Sequence, residues 1–270
     1  MDAEEVLYRV EDGVAWVTLN RPHRRNAMTR PQRLRVIELI DEAASRLDIR
    51  AIVLTGSEGS FCTGADLGAA LPGYPRPEGA PERVAGEVAR GIRMNAHRLI
   101  TAIMDCEKPV IAAVNGIAAG MGVQLALACD LVLMSADAVF YEAFADRGIV
   151  PDTGAAYLLG RLLGPQKAKE LLFFGARVTA DEAVGLGLAN LAVAPDAFEQ
   201  TVSDWARRLA AGPTSTIALT KLLVNKSLDL GRDAALALEA VVQDVNMTTA
   251  DAGEGIRAFI ERRPPEFQGW

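Results

Sequence analysis

The chain has 270 residues, half of them apolar, and its 35 acidic side chains against 28 basic ones give a formal net charge of −7. This is enough apolar material for one substantial core. The acidic balance argues against a nucleic-acid partner, because phosphate binding needs a basic surface. The three cysteines, Cys62, Cys106 and Cys129, stand alone in apolar settings, so we expect neither disulfides nor a metal site.

The chain shows no signal that directs it to a membrane or out of the cell. Its N-terminus lacks the charged segment followed by an apolar segment that marks a secretory signal. The most apolar stretch, residues 109–130, is interrupted by Asn115, Gln124 and Asp130, which argues against a membrane span. We therefore expect a cytoplasmic protein without a membrane partner.

The first third of the chain predicts a hairpin, a polar loop and a helix. Residues 6–10 and 14–19 alternate around Asp12 and Gly13, as two strands joined by a tight turn do. A polar loop with three arginines follows at residues 20–28. Thr29 and Gln32 then have the spacing of a capping box, which predicts the start of an amphipathic helix.

A buried strand at residues 51–55 comes next, followed by a glycine turn and residues 64–66 (Gly-Ala-Asp). Residues 71–81 are rich in proline and glycine, which predicts a mobile loop or lid. A long helix is predicted from about residue 81 to residue 106. The sequence of the loop at residues 71–81 says least about substrate specificity.

Residues 109–130 predict a strand, a glycine loop and a buried helix. Gly120 and Gly122 bracket Met121, so the N–H groups at the start of the helix are left unpaired. Residues 51–67 repeat this arrangement, and the N–H groups of Ala65 and Met121 could therefore point at one oxygen and form an oxyanion hole. The alternative is a tightly packed core helix whose glycines serve only close approach.

The remaining segments predict further strands and then helices only. Strands are expected at residues 131–134 and 189–193, with a capping box at Thr179 and Glu182 between them. From Pro195 onward the pattern is helical, with apolar surface that needs a partner to cover it. We divide the chain into a core, residues 1–194, and a C-terminal helical region, residues 195–270.

Taken in order, these motifs resemble the crotonase, or enoyl-CoA hydratase/isomerase, superfamily. The resemblance runs from residues 14–22 through residues 64–66 and Asn115-Gly116 to residues 254–263. It implies an α/β fold with a β/α spiral core and a C-terminal helical trimerisation region. It also implies acyl-CoA thioester substrates and a homotrimer or a dimer of trimers. No metal or redox cofactor is expected, because coenzyme A is part of the substrate.

The same resemblance implies which residues hold coenzyme A. It implies that the polar loop at residues 20–28 binds the adenine and phosphate end of coenzyme A. The alternative is that this loop contacts only solvent. The terminal helix reaches coenzyme A, often on a neighbouring subunit, although a solvated amphipathic end is the alternative there. By position the CoA-binding residues are Arg24, Arg25, Ala65, Asp66, Leu67, Phe259 and Arg262.

The catalytic expectation depends on two carboxylates that this sequence lacks. Hydratases of the superfamily carry two glutamates, and their positions align with Gln124 and Phe144. Hydration needs both, because one activates water while the other supplies the α-proton. Residues 143–154 instead resemble the branch that contains the phenylacetate-pathway ring-epoxide and enoyl-CoA isomerases. That branch uses the aspartate after the proline as its proton shuttle, and a dehalogenase branch uses it as a nucleophile.

In this sequence that aspartate is Asp152. A purely structural alternative is that Asp152 caps the helix that follows it. Glu142 and Asp146 are further candidate acids, ranked below Asp152. We therefore expect an acyl-CoA isomerase that moves a double bond, or opens an epoxide, through a thioester enolate. An enoyl-CoA hydratase is the first alternative, and a catalytically quiet acyl-CoA-binding protein is the second.

Overall fold

The structure is a computed structural model that describes residues 4–68, 77–82 and 84–270. Its strands are β1 (Val6–Glu11), β2 (Val14–Leu19), β3 (Ala51–Gly56), β4 (Ser60–Cys62), β5 (Val110–Val114), β6 (Ile117–Ala119), β7 (Leu131–Ser135), β8 (Val139–Tyr141), β9 (Arg177–Thr179) and β10 (Leu191–Val193). Its α-helices are α1 (Arg30–Ser45), α2 (Glu87–Ile92), α3 (Arg98–Asp105), α4 (Met121–Leu127), α5 (Ala155–Leu163), α6 (Pro165–Phe173), α7 (Ala180–Leu186), α8 (Pro195–Ala210), α9 (Thr214–Ser227), α10 (Arg232–Asn246) and α11 (Ala250–Glu261).

The strands form two sheets. The larger has the order β1-β2-β3-β5-β7-β10, in which β1 pairs antiparallel with β2 and every later pair is parallel. Asp12 and Gly13 join the hairpin with φ of 51° and 74°, which confirms the predicted turn. The smaller sheet has the order β4-β6-β8-β9, with β4, β6 and β8 parallel and β9 antiparallel.

One structural unit occurs three times along the chain. A strand of the larger sheet is followed by a short strand of the smaller sheet, as β3-β4, β5-β6 and β7-β8. Because β4, β6 and β8 are parallel neighbours, the segments that leave their carboxyl ends lie side by side. Carboxyl ends of parallel strands are where α/β folds place their ligand sites. The fold therefore brings residues 63–67, 120–121 and 142–154 together.

Two predicted elements differ from the structure. The strand, loop and helix expected over residues 109–130 contain an additional short strand, β6, whose three residues are too few to show an alternating pattern. The long helix expected from about residue 81 begins only at Glu87, and a π-helical turn, Arg93–His97, separates α2 from α3. The predicted capping boxes at Thr29 and Thr179 are both present. Of the predicted lid, residues 71–76 lie outside the described residues.

The larger sheet is covered on both faces, which explains why its strands are continuous apolar runs. One face packs against α1, α3 and α4 through a large cluster that includes Val17, Leu54 and Ala112. The other face contributes Val53 and Ile111 to a smaller cluster with apolar side chains of α8. The first helix of the C-terminal region therefore completes the core of the sheet.

Buried polar contacts connect the rest of the C-terminal region to the core. Lys221 of α9 donates from Nζ to Asp130 Oδ2 at 2.8 Å and to the Ile103 carbonyl at 2.9 Å. Near the end of the chain, the buried carboxylate of Asp251 accepts the N–H groups of Gln268 at 2.7 Å and Gly269 at 2.8 Å. The last residues are therefore held against α11.

The helices α9 to α11 also expose apolar side chains. They include Val224, Leu236, Val241, Val245, Ile256, Phe259 and Ile260. Their burial in a trimer stays a prediction. Within the described ranges, no helix is both long and apolar enough to cross a lipid bilayer.

Candidate active site

A cavity of about 1090 Å³ lies where the segments that leave β4, β6 and β8 meet. Those three segments contribute Ala65, Met121, Phe144 and Asp152 to its lining. The N-terminal part of α1 and the helical segment 87–96 complete the wall. The residues that the sequence assigned to the oxyanion hole and to proton transfer therefore share one cavity.

The backbone N–H groups of Ala65 and Met121 are available to a ligand. Neither donates a hydrogen bond to any residue that the structure describes. Ala65 forms a parallel bridge with Met28, in which Met28 N–H donates to Gly64 at 2.8 Å and Asp66 N–H donates to Met28 at 3.1 Å, so the N–H between them is unused. Two free donors on facing loops are what an oxyanion hole requires.

Glycines allow these two loops to approach each other. A Cβ atom on Gly64 would lie 3.5 Å from the Met121 nitrogen and 2.9 Å from the Ala119 carbonyl oxygen. A Cβ atom on Gly122 would lie 2.0 Å from the Cys62 carbonyl oxygen, closer than any contact a real side chain makes. The glycines therefore allow the two loops to pack closely, and the same packing leaves the N–H groups of Ala65 and Met121 free, so the two explanations of these glycines do not compete.

Of the two positions that the resemblance aligns with hydratase glutamates, Gln124 is buried and is not part of the cavity lining. Its Nε2 donates to both carboxylate oxygens of Glu142, at 2.9 and 3.2 Å, and both residues are buried. Burial raises the pKa of Glu142 to about 7, and the hydrogen bond from Gln124 acts in the opposite direction. Glu142 is therefore buried against Gln124 and is not part of the cavity lining.

Phe144, at the second aligned position, is buried and lines the cavity. Its ring makes this part of the lining apolar, at the position where the resemblance to hydratases implies a carboxylate. Asp146, the other reserve acid, is exposed, and its carboxylate accepts a hydrogen bond from the Tyr141 hydroxyl. Asp146 is not part of the lining either.

Asp152 lies in the lining on a strained turn. Thr153 has φ of +55° although it is β-branched and only 1% exposed, and its hydroxyl donates to Asp152 Oδ1 at 2.8 Å. Helix α5 begins after Gly154, which caps it without a side-chain hydrogen bond. The alternative that the Asp152 side chain caps this helix is therefore wrong. Only the backbone carbonyl of Asp152 takes part, accepting Ala155 N–H at 3.0 Å.

The residues predicted to bind coenzyme A divide into three groups. Arg25, Ala65, Asp66 and Leu67 line the cavity. The carboxylate of Asp66 is held by Arg21 at 2.7 Å, so its visible role is to shape the loop. Arg24 is exposed outside the lining.

Phe259 and Arg262 form the third group, at the C-terminal end of α11. Phe259 is 85% exposed, and neither residue is part of the cavity of its own chain. Their assignment to a neighbouring subunit's site stays a prediction.

Sequence reasoning missed three buried polar residues of the lining, Arg33, Asn95 and Thr153. The spacing of Arg33, Val36, Ile37 and Ile40 places the arginine on the buried face of α1, and this was a readable signal. Asn95 lies in the π-helical turn, a feature that sequence periodicity does not reveal.

A sequence profile of the enoyl-CoA hydratase/isomerase family matches residues 9–270. The chain belongs to this family. It is 38% identical to a Rhodobacter capsulatus protein named "Probable enoyl-CoA hydratase", over the whole of both chains. It is 33% identical to the 1,2-epoxyphenylacetyl-CoA isomerase of Escherichia coli, over 98% of this chain and 99% of that one.

Solved structures of the enoyl-CoA hydratase/isomerase family have the same fold. An enoyl-CoA hydratase from Mycobacterium smegmatis superimposes with a TM-score of 0.87 at 32% identity, covering 98% of this chain and 99% of the other. The crotonase fold that the sequence predicts is confirmed. The names of these relatives include both hydratases and an isomerase, so family membership establishes an acyl-CoA enzyme and leaves its reaction open.

Proposed function

We propose that this enzyme isomerises unsaturated acyl-CoA thioesters, with Asp152 as the single proton shuttle. The observation that carries the proposal is the set of carboxylates in the cavity lining. Among the described lining residues these are Asp66, Glu87 and Asp152. Asp66 pairs with Arg21, and Glu87 has an interaction partner of its own. Asp152 Oδ1 accepts a hydrogen bond from the neutral Thr153 hydroxyl, so Asp152 Oδ2 is left to contact the substrate.

The proposed reaction needs one base and one oxyanion hole. Asp152 takes a proton from C2 of a 3-enoyl thioester, and the electrons move onto the thioester oxygen to give an enolate. The N–H groups of Ala65 and Met121 hold that oxygen; one such donor is typically worth about 2.7–4 kcal/mol of barrier. Asp152 then returns the proton to C4, and the double bond lies between C2 and C3. Opening an epoxide next to C2 would begin with the same proton removal and would place the oxygen of its own enolate in the same hole.

Hydratase is the second candidate, because most of the relatives named above are called hydratases. The composition of the wall argues against it. Water addition needs a second acid or base on the reacting bond. Phe144 occupies one of the two aligned positions, and Gln124 at the other is bonded to Glu142 outside the lining. Among the relatives named above, the 1,2-epoxyphenylacetyl-CoA isomerase of Escherichia coli has a name that gives the reaction class proposed here.

The decisive experiment measures isomerase turnover of 3-enoyl thioesters in Asp152→Asn. This change keeps the size of the side chain and removes its ability to accept a proton. We expect turnover to fall by roughly 10²–10⁴-fold, the usual contribution of a positioned acid–base group. Exchange of the C2 proton in deuterated water should fall in parallel. Asp146→Asn is the matched control, and its turnover should stay near that of the wild type.

Other outcomes would favour the other functions. Hydration of crotonyl-CoA by the wild type at ordinary enzymic rates would overturn the one-carboxylate argument, and Glu142→Gln would then be the next variant to test. Binding of acyl-CoA without turnover of any 2-enoyl or 3-enoyl thioester would indicate a catalytically quiet binder. Near wild-type activity in Asp152→Asn would remove Asp152 from the mechanism.

A further inference from the structure

Arg33 places an unpaired positive charge in the wall of the cavity. The residue lies on the buried face of α1, is 7% exposed and lines the cavity. Its Nη1 donates to the Met28 carbonyl at 3.0 Å, and its Nε is buried without a hydrogen-bond partner. Within the part of the chain that the structure describes, no carboxylate lies within the 4 Å of an ion pair with Arg33.

A buried guanidinium with one hydrogen bond is energetically costly. Arginine has five N–H donors and stays charged in proteins, so most of its capacity here is unused. Charged side chains are almost never fully buried unless they are paired, because the loss of hydration is not recovered. Burial lowers the pKa of the Arg33 guanidinium, which expresses the same cost. The site therefore lacks a partner that would offset this charge.

The surrounding residues do not supply that partner. Asp152 attracts Arg33 electrostatically, but it lies beyond ion-pair distance and its Oδ1 accepts the Thr153 hydroxyl. Arg30 adds a repulsive positive charge. Asn95, a second buried polar side chain of the lining, donates from Nδ2 to the Gly91 carbonyl at 2.7 Å and is neutral, so it cannot offset a charge.

Coenzyme A is a poor explanation for this cation. Its phosphates stay hydrated and suit exposed arginines such as Arg25 at the edge of the cavity. Arg33 is buried and lines the same cavity as the free N–H groups and Asp152, where the proposed mechanism places the acyl chain. A guanidinium fixed on a helix binds a carboxylate with two parallel hydrogen bonds, which fixes orientation as well as affinity.

We infer that the acyl group of the substrate carries a carboxylate that pairs with Arg33, so that the substrates are CoA monothioesters of dicarboxylic acids. The inference rests on the proposed function in one respect, because it places the acyl chain in this cavity. The ion pair would anchor the far end of the chain and hold C2 near Asp152. Arg33 is thus a specificity residue rather than an acid or a base.

The test is a calorimetric comparison of saturated, unreactive thioesters. Glutaryl-CoA and adipyl-CoA carry the carboxylate, and pentanoyl-CoA and hexanoyl-CoA are their neutral counterparts of equal length. We expect the wild type to bind the carboxylated members at least about tenfold more tightly, in line with hydrogen bonds between charged groups. Arg33→Met should remove that preference, and Arg33→Lys should retain part of it.

Arg35→Met is the matched control. Arg35 lies on the same helix, is exposed, and pairs with Glu38 at 3.3 Å, so its loss should leave the preference intact. If Arg33→Met melts far below the wild type, Arg33→Gln replaces it, because glutamine keeps a donor for the Met28 carbonyl. Thermal melting of each variant identifies that case.

Four outcomes would overturn the inference. The wild type could bind neutral and carboxylated thioesters equally, or it could prefer a hydroxyacyl-CoA of the same length. Arg33→Met could also weaken all thioesters alike, or lower turnover of neutral 3-enoyl thioesters without any carboxylate preference, as a residue that only supports Asp152 would. Binding of saturated thioesters requires no turnover, so failure here leaves the isomerase proposal intact, and failure of isomerisation leaves this measurement valid.

Discussion

At the scale of single residues, Thr153 holds the proposed shuttle in place at a conformational cost. Left-handed backbone is rarely adopted by β-branched residues, and a strained residue of this kind costs of order 1–3 kcal/mol. Its hydroxyl orients Asp152 through the 2.8 Å hydrogen bond. Gly154, with φ of +86°, completes the turn. The turn and this hydrogen bond together hold the carboxylate between β8 and α5.

Two variants of Thr153 separate the hydroxyl from the backbone strain. Thr153→Val keeps the branched shape and removes the donor, while Thr153→Ser keeps the donor. A hydrogen bond to a charged group contributes about 1.5–3 kcal/mol, so Thr153→Val should lower isomerase turnover by roughly 10–100-fold. The turnover of Thr153→Ser should remain within about threefold of the wild type. Equal turnover in Val and Ser would show that the hydrogen bond does not orient Asp152.

Glu142 gives the fold a pH-dependent stability. Its pKa is about 7 in the folded chain and near 4.5 when burial is lost. Between these values the folded chain keeps a proton that the unfolded chain has released, so the free energy of unfolding falls as pH rises from 4.5 to 7. At about 1.4 kcal/mol per pH unit, the loss is about 3 kcal/mol.

Glu142→Gln should remove this dependence, because an amide remains neutral and still accepts a hydrogen bond from Gln124. Urea denaturation at pH 5 and pH 8 measures it. We expect the variant to gain stability relative to the wild type at pH 8, by up to about 3 kcal/mol, and much less at pH 5. A difference between the two proteins that does not change with pH would contradict the assignment.

At the scale of elements, the position of α4 against β4 determines where Met121 N–H points. Gly122 allows that packing, because a Cβ atom would meet the Cys62 carbonyl. Gly122→Ala should lower the unfolding free energy by about 1–3 kcal/mol, as overpacking does, and should also reduce turnover. Gly160→Ala in α5 is the matched control, since nothing lies within 4 Å of its Cβ position.

Gly160→Ala should raise the free energy of unfolding by about 0.5–1 kcal/mol, the usual gain from replacing glycine with alanine inside a helix. Thermal melting and isomerase assays of both variants decide the matter. If Gly122→Ala kept full turnover, the backbone donor at Met121 would not depend on this packing.

The sequence predicted elements well where a local signal marks them. The hairpin at Asp12 and Gly13 and the capping boxes at Thr29 and Thr179 depend on neighbouring residues, and all are present. The short strand β6 and the π-helical turn at 93–97 were missed. Both depend on pairing or packing with distant segments, which no short pattern encodes.

The site was predictable where a glycine turn follows a strand, as at Ala65 and Met121, whereas Asp152 was expected only from the family resemblance of residues 143–154. Ala65, Met121 and Asp152 belong to segments that leave β4, β6 and β8, and the parallel order of those strands brings them together. Arg33 was missed because a charged residue near a helix start is usually exposed. The pairing of Gln124 with Glu142 was missed because it joins a helix to the residue that follows a strand of another unit.

At the scale of the whole molecule, the exposed apolar side chains of α9 to α11 favour an assembled protein. We predict a trimer or a hexamer in sedimentation velocity at micromolar concentration. Val241→Asp on α10 should shift the distribution to smaller species, because it places a charge on this surface. Leu47→Asp is the control, because Leu47 is also largely exposed (71%, against 63% for Val241) but lies outside these helices, so the assembly should stay unchanged. A monodisperse wild-type monomer would contradict the prediction.

The contacts of Asp251 allow amide hydrogen exchange to show whether the last residues of the chain are bound to α11. Terminal residues usually exchange their amide hydrogens almost at once. The amides of Gln268 and Gly269 are instead bonded to a buried carboxylate, so they should exchange only when this end detaches from α11. A mass-spectrometric peptide covering residues 264–270 would then show, without any label, whether acyl-CoA binding tightens or loosens the C-terminal region.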